Sequence, residues 1–411
     1  MKNNIRFDLS NYLIHFFRDI DMQGENAIVL PEHMGWSTLI EDQSIPAILM
    51  LRSALRNGRL WATWSFRNDI RTIYGPHPAV CMTDMPIAAF VEASRARSAR
   101  GEAMGEVALV FPKGTMRKLG ARSAIYGLSQ PVATKSIGVD GSPRLLPEHV
   151  MPLLEQYRYV TDSHPIDWTH EREWRWPCRT PDYLATDDCL SSWSDIPGLN
   201  LYEENIFGMG AIVKTRAQAE LVVRDMLTMV QSAQAHGSAF SFILVTDELP
   251  DLADIRDHDK LQQALANATI DINKYFLVSE DEVKRVNMEF NELVLHVEQS
   301  APPLQRGERG GCWLWLHDGV SDLSRLLCAT GRVFVSRNGR YLAQLPEFSV
   351  DRDLRQREKM TQRLAELVRE KFSTECGYFS VLDSMNPDKE PFYAENHDTS
   401  ISYYNATWMY K

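Results

Sequence analysis

Trp168-Thr-His-Glu-Arg-Glu-Trp-Arg-Trp176 places three tryptophans, two glutamates and two arginines within nine residues. From Glu171 onward, charged and aromatic residues alternate, which predicts a strand over residues 171–176. In an extended chain Glu171, Glu173 and Arg175 share one face, and Arg172, Trp174 and Trp176 share the other. Two carboxylates on one face repel, so one of them is expected to hold its proton more tightly. Such a pair suits general acid–base work or the stabilisation of an oxocarbenium-like centre. The same pattern also fits a strand with Glu–Arg pairs and buried tryptophans, so both readings stay open.

Working outward, the chain reads as short strands joined by short helices. Residues 12–17 are an apolar, aromatic run that fits a strand or an early helix. Residues 45–58 have helical spacing and a glycine stop at Gly58. Strands are predicted over residues 59–65, 79–83, 106–111 and 124–126. Helices are predicted from Met85-Pro86 to about Ser98, over residues 113–119 and over residues 147–159. Strands at 210–213 and 240–245 bracket an amphipathic helix at 217–235. Without regular alternation of strand and helix, the expected class is α+β rather than doubly wound.

The second half reads as a smaller α+β domain. Ala301-Pro-Pro303 through Gly310-Gly311 is the best linker signal. A strand at 312–316, strands flanking the Asn338-Gly339 turn and a long helix at 354–371 follow. The expected division is a mixed-sheet domain at 1–246, an acidic connecting segment at 247–303 and a C-terminal accessory domain at 304–411.

Length and composition, 411 residues with 44% hydrophobic and 24% charged, are those of a globular chain of two or three domains. No apolar signal core follows Met1, and no run long enough to cross a bilayer is present, so a cytoplasmic protein without membrane association is expected. The six cysteines are scattered without a Cys-x-x-Cys pair, which predicts free thiols and no metal site. The net charge of -11 is uneven. Residues 52–122 carry twelve Lys/Arg against five Asp/Glu, and residues 247–300 carry thirteen Asp/Glu against five Lys/Arg. The first is a candidate surface for nucleotides or nucleic acid, or else a solvated face.

The phosphate-binding P-loop, the His-Glu-x-x-His zinc motif and the Gly-x-Ser-x-Gly elbow are absent from the sequence. A second constellation surrounds Trp61, Trp64 and Phe66 with Arg56, Arg59, Arg67 and Arg71. Guanidinium groups grip phosphates and aromatic faces stack on bases, although large aromatics also serve packing. His15 is a lone histidine in an apolar run, a pattern common to satisfied core histidines.

One order of pieces resembles a known group. His15 comes first, then the helix end Leu55-Arg-Asn-Gly58, then Ala79-Val-Cys-Met-Thr-Asp-Met-Pro86. Val107-Ala-Leu-Val-Phe111 with Lys113, Gly120-Ala-Arg-Ser-Ala-Ile-Tyr126 and His170-Glu-Arg-Glu-Trp-Arg175 follow. Over about residues 10–245 this resembles bacterial abortive-infection and phage-resistance proteins of the AbiGi type. That group is distantly similar to DarT-like ADP-ribosyltransferases. The resemblance implies an ADP-ribosyltransferase-like mixed sheet and NAD as substrate. It implies a toxin or defence effector with RNA or DNA as leading acceptor, or a noncatalytic sensor or antitoxin-type protein whose partner is a phage protein or a toxin. It further implies that Glu173 is catalytic with Glu171 beside it, that His15 and Arg52, Arg56 or Arg67 contact NAD, and that Tyr126 stacks on nicotinamide. Trp61, Trp64, Arg71 and Arg175 become acceptor-binding candidates. The His-x-Thr start of such enzymes is His15-Phe-Phe17 here.

Overall fold

The computed structural model describes residues 9–21, 44–67, 70–102, 104–127, 144–161, 167–179, 197–255 and 257–389. They form two units, one of residues 1–219 and 238–271 and one of residues 220–237 and 272–411. The class is α+β.

The first unit is built on an eight-stranded mixed sheet. Its strands are β1 (Tyr12–Phe17), β2 (Ala79–Thr83), β3 (Val107–Pro112), β4 (Arg122–Ser123), β5 (Glu173–Pro177), β6 (Met209–Val213), β7 (Phe240–Val245) and β8 (Thr269–Asp271). Their order across the sheet is β8-β7-β6-β3-β1-β2-β5-β4. The unbroken apolar run of β3 is explained by its central place: Val107 to Phe111 are all buried. It pairs antiparallel with β1 along all six residues, from Tyr12↔Pro112 to Phe17↔Val107. Among the described strands of this sheet only β6 and β7 run parallel, and a parallel pair needs a long crossover. That crossover is helix α4, described below.

Helix α1 (Ala47–Asn57) follows Pro46 and stops at Gly58, whose φ of 61° is left-handed. Helix α2 (Ile87–Ser98) starts behind Pro86, and α3 (Lys113–Lys118) is a single short turn after β3. Helix α4 (Arg216–Gln231), which belongs to the second unit from residue 220 onward, and α5 (His258–Asn267) follow. One core joins Ile14, Val110, Ile212 and Leu244 of the sheet to Phe90 and Val91 of α2 and Leu261 of α5. Two expected elements are shorter than their patterns: the strand at 59–65 is confined to Arg59–Trp61, and Ser65 takes a φ of 48°. Residues 147–159 form a 3-10 turn, Leu153–Arg158, instead of an α-helix.

The second unit adds α6 (Glu280–Gln299), α7 (Asp322–Ala329), α8 (Leu354–Phe372) and strands β9 (Gly310–Leu316), β10 (Val333–Val335), β11 (Tyr341–Ala343) and β12 (Cys376–Leu382). The sheet order is β10-β11-β9-β12. Phe290 and Val294 of α6, Leu326 of α7 and Leu364 of α8 cover one face, against Leu314, Leu316 and Ala343. Trp313, Trp315, Leu342 and Phe379 form the other, with the Arg340 guanidinium 4.4 Å over the Phe379 ring. Glu358 of α8 is buried at the sheet and accepts the Ser380 hydroxyl at 2.7 Å.

The division expected at residues 247–303 is corrected. The front of that stretch adds β8 to the large sheet, and its rear is α6, whose apolar stripe fills the second core. Its acidic residues occupy the solvated side of an amphipathic helix. The Pro/Gly-rich break at 301–310 is also no free linker. Asp353 accepts the Glu308 amide at 2.9 Å, Arg352 donates to the Pro302 carbonyl at 2.7 Å and Arg357 donates to the Gly310 carbonyl at 2.7 Å. The segment is a strap held over the start of α8.

Candidate active site

Strand β5 begins at Glu173, two residues later than the alternation suggests. Asp167 accepts the Thr169 amide at 2.9 Å and caps a 3-10 turn over Trp168–Glu171. Arg172 then takes a φ of 48°, which reorients the chain before the strand starts. Glu171 and Glu173 therefore do not sit together on one strand face. Glu171 bonds Arg97 at 2.8 Å, and Arg97 also donates to the His170 ring. The expected clash of two carboxylates is replaced by two separate ion pairs.

The register of β5 on β2 sets Glu173 beside Thr83 and Arg175 beside Cys81, on one face of the sheet. Arg175 closes a two-point ion pair on Glu173, with Nε–Oε1 at 2.8 Å and Nη2–Oε2 at 3.0 Å. Its remaining nitrogen donates to the Tyr157 and Tyr159 carbonyls at 2.7 and 3.1 Å. Burial opposes the Arg175 charge most, but the Glu173 carboxylate together with Cys81 and Tyr126 holds the guanidinium above its ordinary range. The Glu173 side chain keeps 20% of its surface exposed, against 5% for Arg175. The carboxylate is thus fixed in orientation on a side chain that stays part-exposed. The Tyr126 hydroxyl accepts the Glu173 amide at 2.7 Å, and burial pushes its phenol up.

Cys81 joins this group to His15. Burial, and then the Glu173 carboxylate, raise the Cys81 thiol above its ordinary value. Strand β1 pairs with β2 only at Ile14↔Thr83, and the His15 ring bridges to the neighbouring backbone by donating Nδ1–H to the Cys81 carbonyl at 2.8 Å. Burial lowers the His15 pKa, so the ring is neutral at pH 7.

A third ion-pair group lies at the end of β2. Asp84 accepts from Lys113 and from Arg172, each at 2.7 Å. Burial works against its charge, but these two hydrogen-bonded cations keep the carboxyl below its ordinary pKa. Lys113 also lies 4.9 Å over the Trp174 ring, and Trp176 donates to the Leu119 carbonyl at 2.9 Å. The tryptophans of β5 therefore flank α3.

The remaining candidates divide. Tyr126, Glu173 and Arg175 gather around the Cys81 side chain, whereas His15 reaches only the Cys81 backbone carbonyl, and the register Ile14↔Thr83 turns its ring to the other face of the sheet. Arg175 is buried in the Glu173 pair, which removes it as a surface contact for an acceptor. Arg52 is fully buried in α1, which excludes an open pyrophosphate contact there, and Arg56 in the last turn of α1 is part-buried. Trp64 is buried in a core with Ile73, Ala79 and Tyr157, so its faces are taken by packing and not free for bases. Trp61 is part-buried on a strand paired with Gly198–Asn200. The side chains of Arg67 and Arg71 lie outside the described residues. Sequence reading assigned no role to Asp84, Arg97, Lys113 or Arg172; the Thr-Asp-Met-Pro run and the lysine closing the apolar β3 run were the available signals.

A separate cavity of about 580 Å³ lies in the same unit, lined by Tyr12, Ile87, Leu252, Ile255, His258 and Leu265 among others. None of the sequence-derived site residues lines it. Among the described residues no three His, Cys, Asp or Glu side chains are grouped to hold a metal ion, and no helix is long and apolar enough to cross a membrane.

A family described as "Protein of unknown function (DUF4427)" matches residues 278–406, which fall in the second unit. No curated protein and no solved structure is significantly similar to the chain.

Proposed function

We propose that the first unit is an NAD-consuming ADP-ribosyltransferase whose catalytic carboxylate is Glu173, acting as a toxin or anti-phage effector with nucleic acid as leading acceptor. One observation carries the reading: the Glu173 carboxylate, on a part-exposed side chain beside Tyr126 and Cys81, is fixed at both oxygens by buried Arg175. In this reaction the bond between nicotinamide and the ribose C1′ breaks, and nicotinamide leaves with the bonding electrons. Positive charge grows on the ribose, and Glu173 stabilises it. The acceptor's nucleophilic atom then bonds to C1′ and loses its proton to solvent or to a nearby base. Arg175 grips both Glu173 oxygens and prevents the carboxylate from turning away. His15, neutral and anchored by Nδ1–H, keeps Nε2 available as an acceptor.

Incubation with labelled NAD and RNA, DNA or cell lysate tests the proposal. Label transfer or nicotinamide release is expected, with a loss on the order of 100-fold or more in Glu173→Gln. Folded protein that neither consumes NAD nor transfers label would remove the reading.

A second reading has its own observation. Asp84, Glu171 and Glu173 each hold a cationic partner at 2.8 Å or less, as a structural ion-pair network would. On that reading the unit is a noncatalytic sensor or antitoxin-type protein. An unchanged NAD pool together with a stable complex with a phage protein or a toxin would favour it.

A further inference from the structure

We propose that the β4 edge of the large sheet, with α3 beside it, binds the phosphate backbone of a single-stranded nucleic acid. Strand β4 pairs only with β5 and ends the sheet. Its Arg122 is exposed and donates only to the carbonyls of Arg117 and Ala121, at 2.7 and 2.8 Å. Arg117 and Lys118 at the end of α3 are exposed, and among the described residues no carboxylate forms an ion pair with either. Arg158 reaches the same edge by donating to the Ser123 carbonyl at 2.9 Å, but its charge is paired with Glu155 at 2.6 Å, so among the described residues the free cations of the edge are those of Arg117, Lys118 and Arg122. The run from Lys113 to Ser123 contains four basic residues and no acidic one. In a chain of net charge -11, this concentration is local rather than a reflection of composition.

The aromatic groups beside it favour nucleic acid over an acidic peptide. Trp174 and Trp176 are only part-buried, and both are tied to α3, one under Lys113 and one through the Leu119 carbonyl. A cationic rim with part-exposed indoles offers phosphates their counter-charge and bases a stacking surface. These residues differ from the Arg52–Arg71 stretch singled out by composition, where Arg52 and Trp64 are buried. The edge adjoins the candidate carboxylate: the Ala124 amide, just past β4, donates to the Glu173 carbonyl at 2.8 Å. The binding itself does not depend on the transferase reading; only the fate of the bound strand does.

The test is fluorescence anisotropy of the full chain with labelled single-stranded RNA and DNA oligonucleotides across a salt series, with NAD consumption measured in parallel. The wild type is expected to bind with strong salt dependence. The triple charge reversal Arg117→Glu, Lys118→Glu, Arg122→Glu is expected to lose on the order of 10-fold or more, and its log–log salt slope to shrink by about two. Lys284→Glu on α6, an exposed control in the other unit, is expected to bind as wild type. Unfolding curves check that the triple variant is folded; if it is not, the single Lys118→Glu variant carries the comparison. Equal binding by the folded variant, or no oligonucleotide binding by the wild type, overturns the proposal. Tighter capture of polyglutamate than of either oligonucleotide overturns it in favour of an acidic protein partner. Oligonucleotide binding without NAD loss keeps this edge and removes the transferase, and NAD loss without oligonucleotide binding does the reverse.

Discussion

Glu173 and Arg175, next-but-one neighbours on a single strand, form a two-point ion pair at 2.8 and 3.0 Å with the Arg175 side chain buried and the Glu173 side chain part-exposed. The strand's period of two brings them to one face, and the Tyr157 and Tyr159 carbonyls occupy the remaining guanidinium nitrogen. Arg175→Met would strand the Glu173 charge and leave both carbonyls without their donor. A loss of about 3 kcal/mol in unfolding free energy is expected, at the low end for a broken buried pair because Glu173 keeps contact with water. Urea titration measures it; a change within about 0.5 kcal/mol would show that the pair contributes little.

Gly58 ends α1 with a φ of 61°, and a Cβ there would lie 2.6 Å from the Tyr202 ring. Gly58→Ala combines a left-handed alanine with that overlap. A destabilisation of about 1–3 kcal/mol is expected by thermal or chemical unfolding. Adding Tyr202→Ala should relieve the overlap and leave only the backbone strain, which a double-mutant cycle separates.

Glu358 gives the second unit a pH dependence. Burial raises its pKa from 4.5 to about 7, and the Ser380 hydrogen bond only partly opposes this. The folded state therefore holds this proton more tightly than the unfolded chain. Its contribution is complete below the unfolded value near 4.5 and is lost as pH rises through about 7. Glu358→Gln keeps an acceptor for Ser380 without the charge. It is expected to raise stability by about 1–3 kcal/mol at pH 8 and to change little at pH 4.5. Thermal unfolding at the two pH values decides this, and an equal shift at both would exclude the charge as its cause.

Asp353 caps α8 by accepting the Arg355 and Gln356 amides, and it also holds the strap through the Glu308 amide. Asp353→Ala should cost about 1–2 kcal/mol from the cap alone. Amide exchange over residues 305–310 should rise together with that of the first turn of α8. Faster exchange in the helix alone would mean that the strap is held independently of the cap.

Much of the architecture was legible because apolar runs and punctuation agree. The apolar run at 106–111 marked a strand, which the structure places at the sheet's centre, Gly58 marked a helix end, and Asn338-Gly339 marked the β10–β11 turn, where Gly339 has a φ of 78°. The site was legible only in part. Alternation placed Glu173 and Arg175 on one face but carried the strand back to Glu171, because the positive φ of Arg172 leaves no trace in hydropathy. Composition could not separate the buried Arg52 and Trp64 from solvated arginines and tryptophans, since burial is set by packing between distant elements. The strap at 301–310 reads as a linker for the same reason: its partners Arg352, Asp353 and Arg357 lie some fifty residues away.

The alternation of the two units along the chain limits how this protein can be divided or assembled in time. The polypeptide leaves the first unit at residue 220, returns at 238 and leaves again at 272. No single cut separates them cleanly. A fragment starting at residue 304 lacks α6 and the 220–237 excursion, and one ending at 246 lacks β8 at the sheet's edge. During synthesis the large sheet stays incomplete until residue 271 has left the ribosome, so a premature stop before that point yields an unfinished sheet rather than a free-standing first unit. Gene fusions or rearrangements that retain either unit intact must carry both crossings with them.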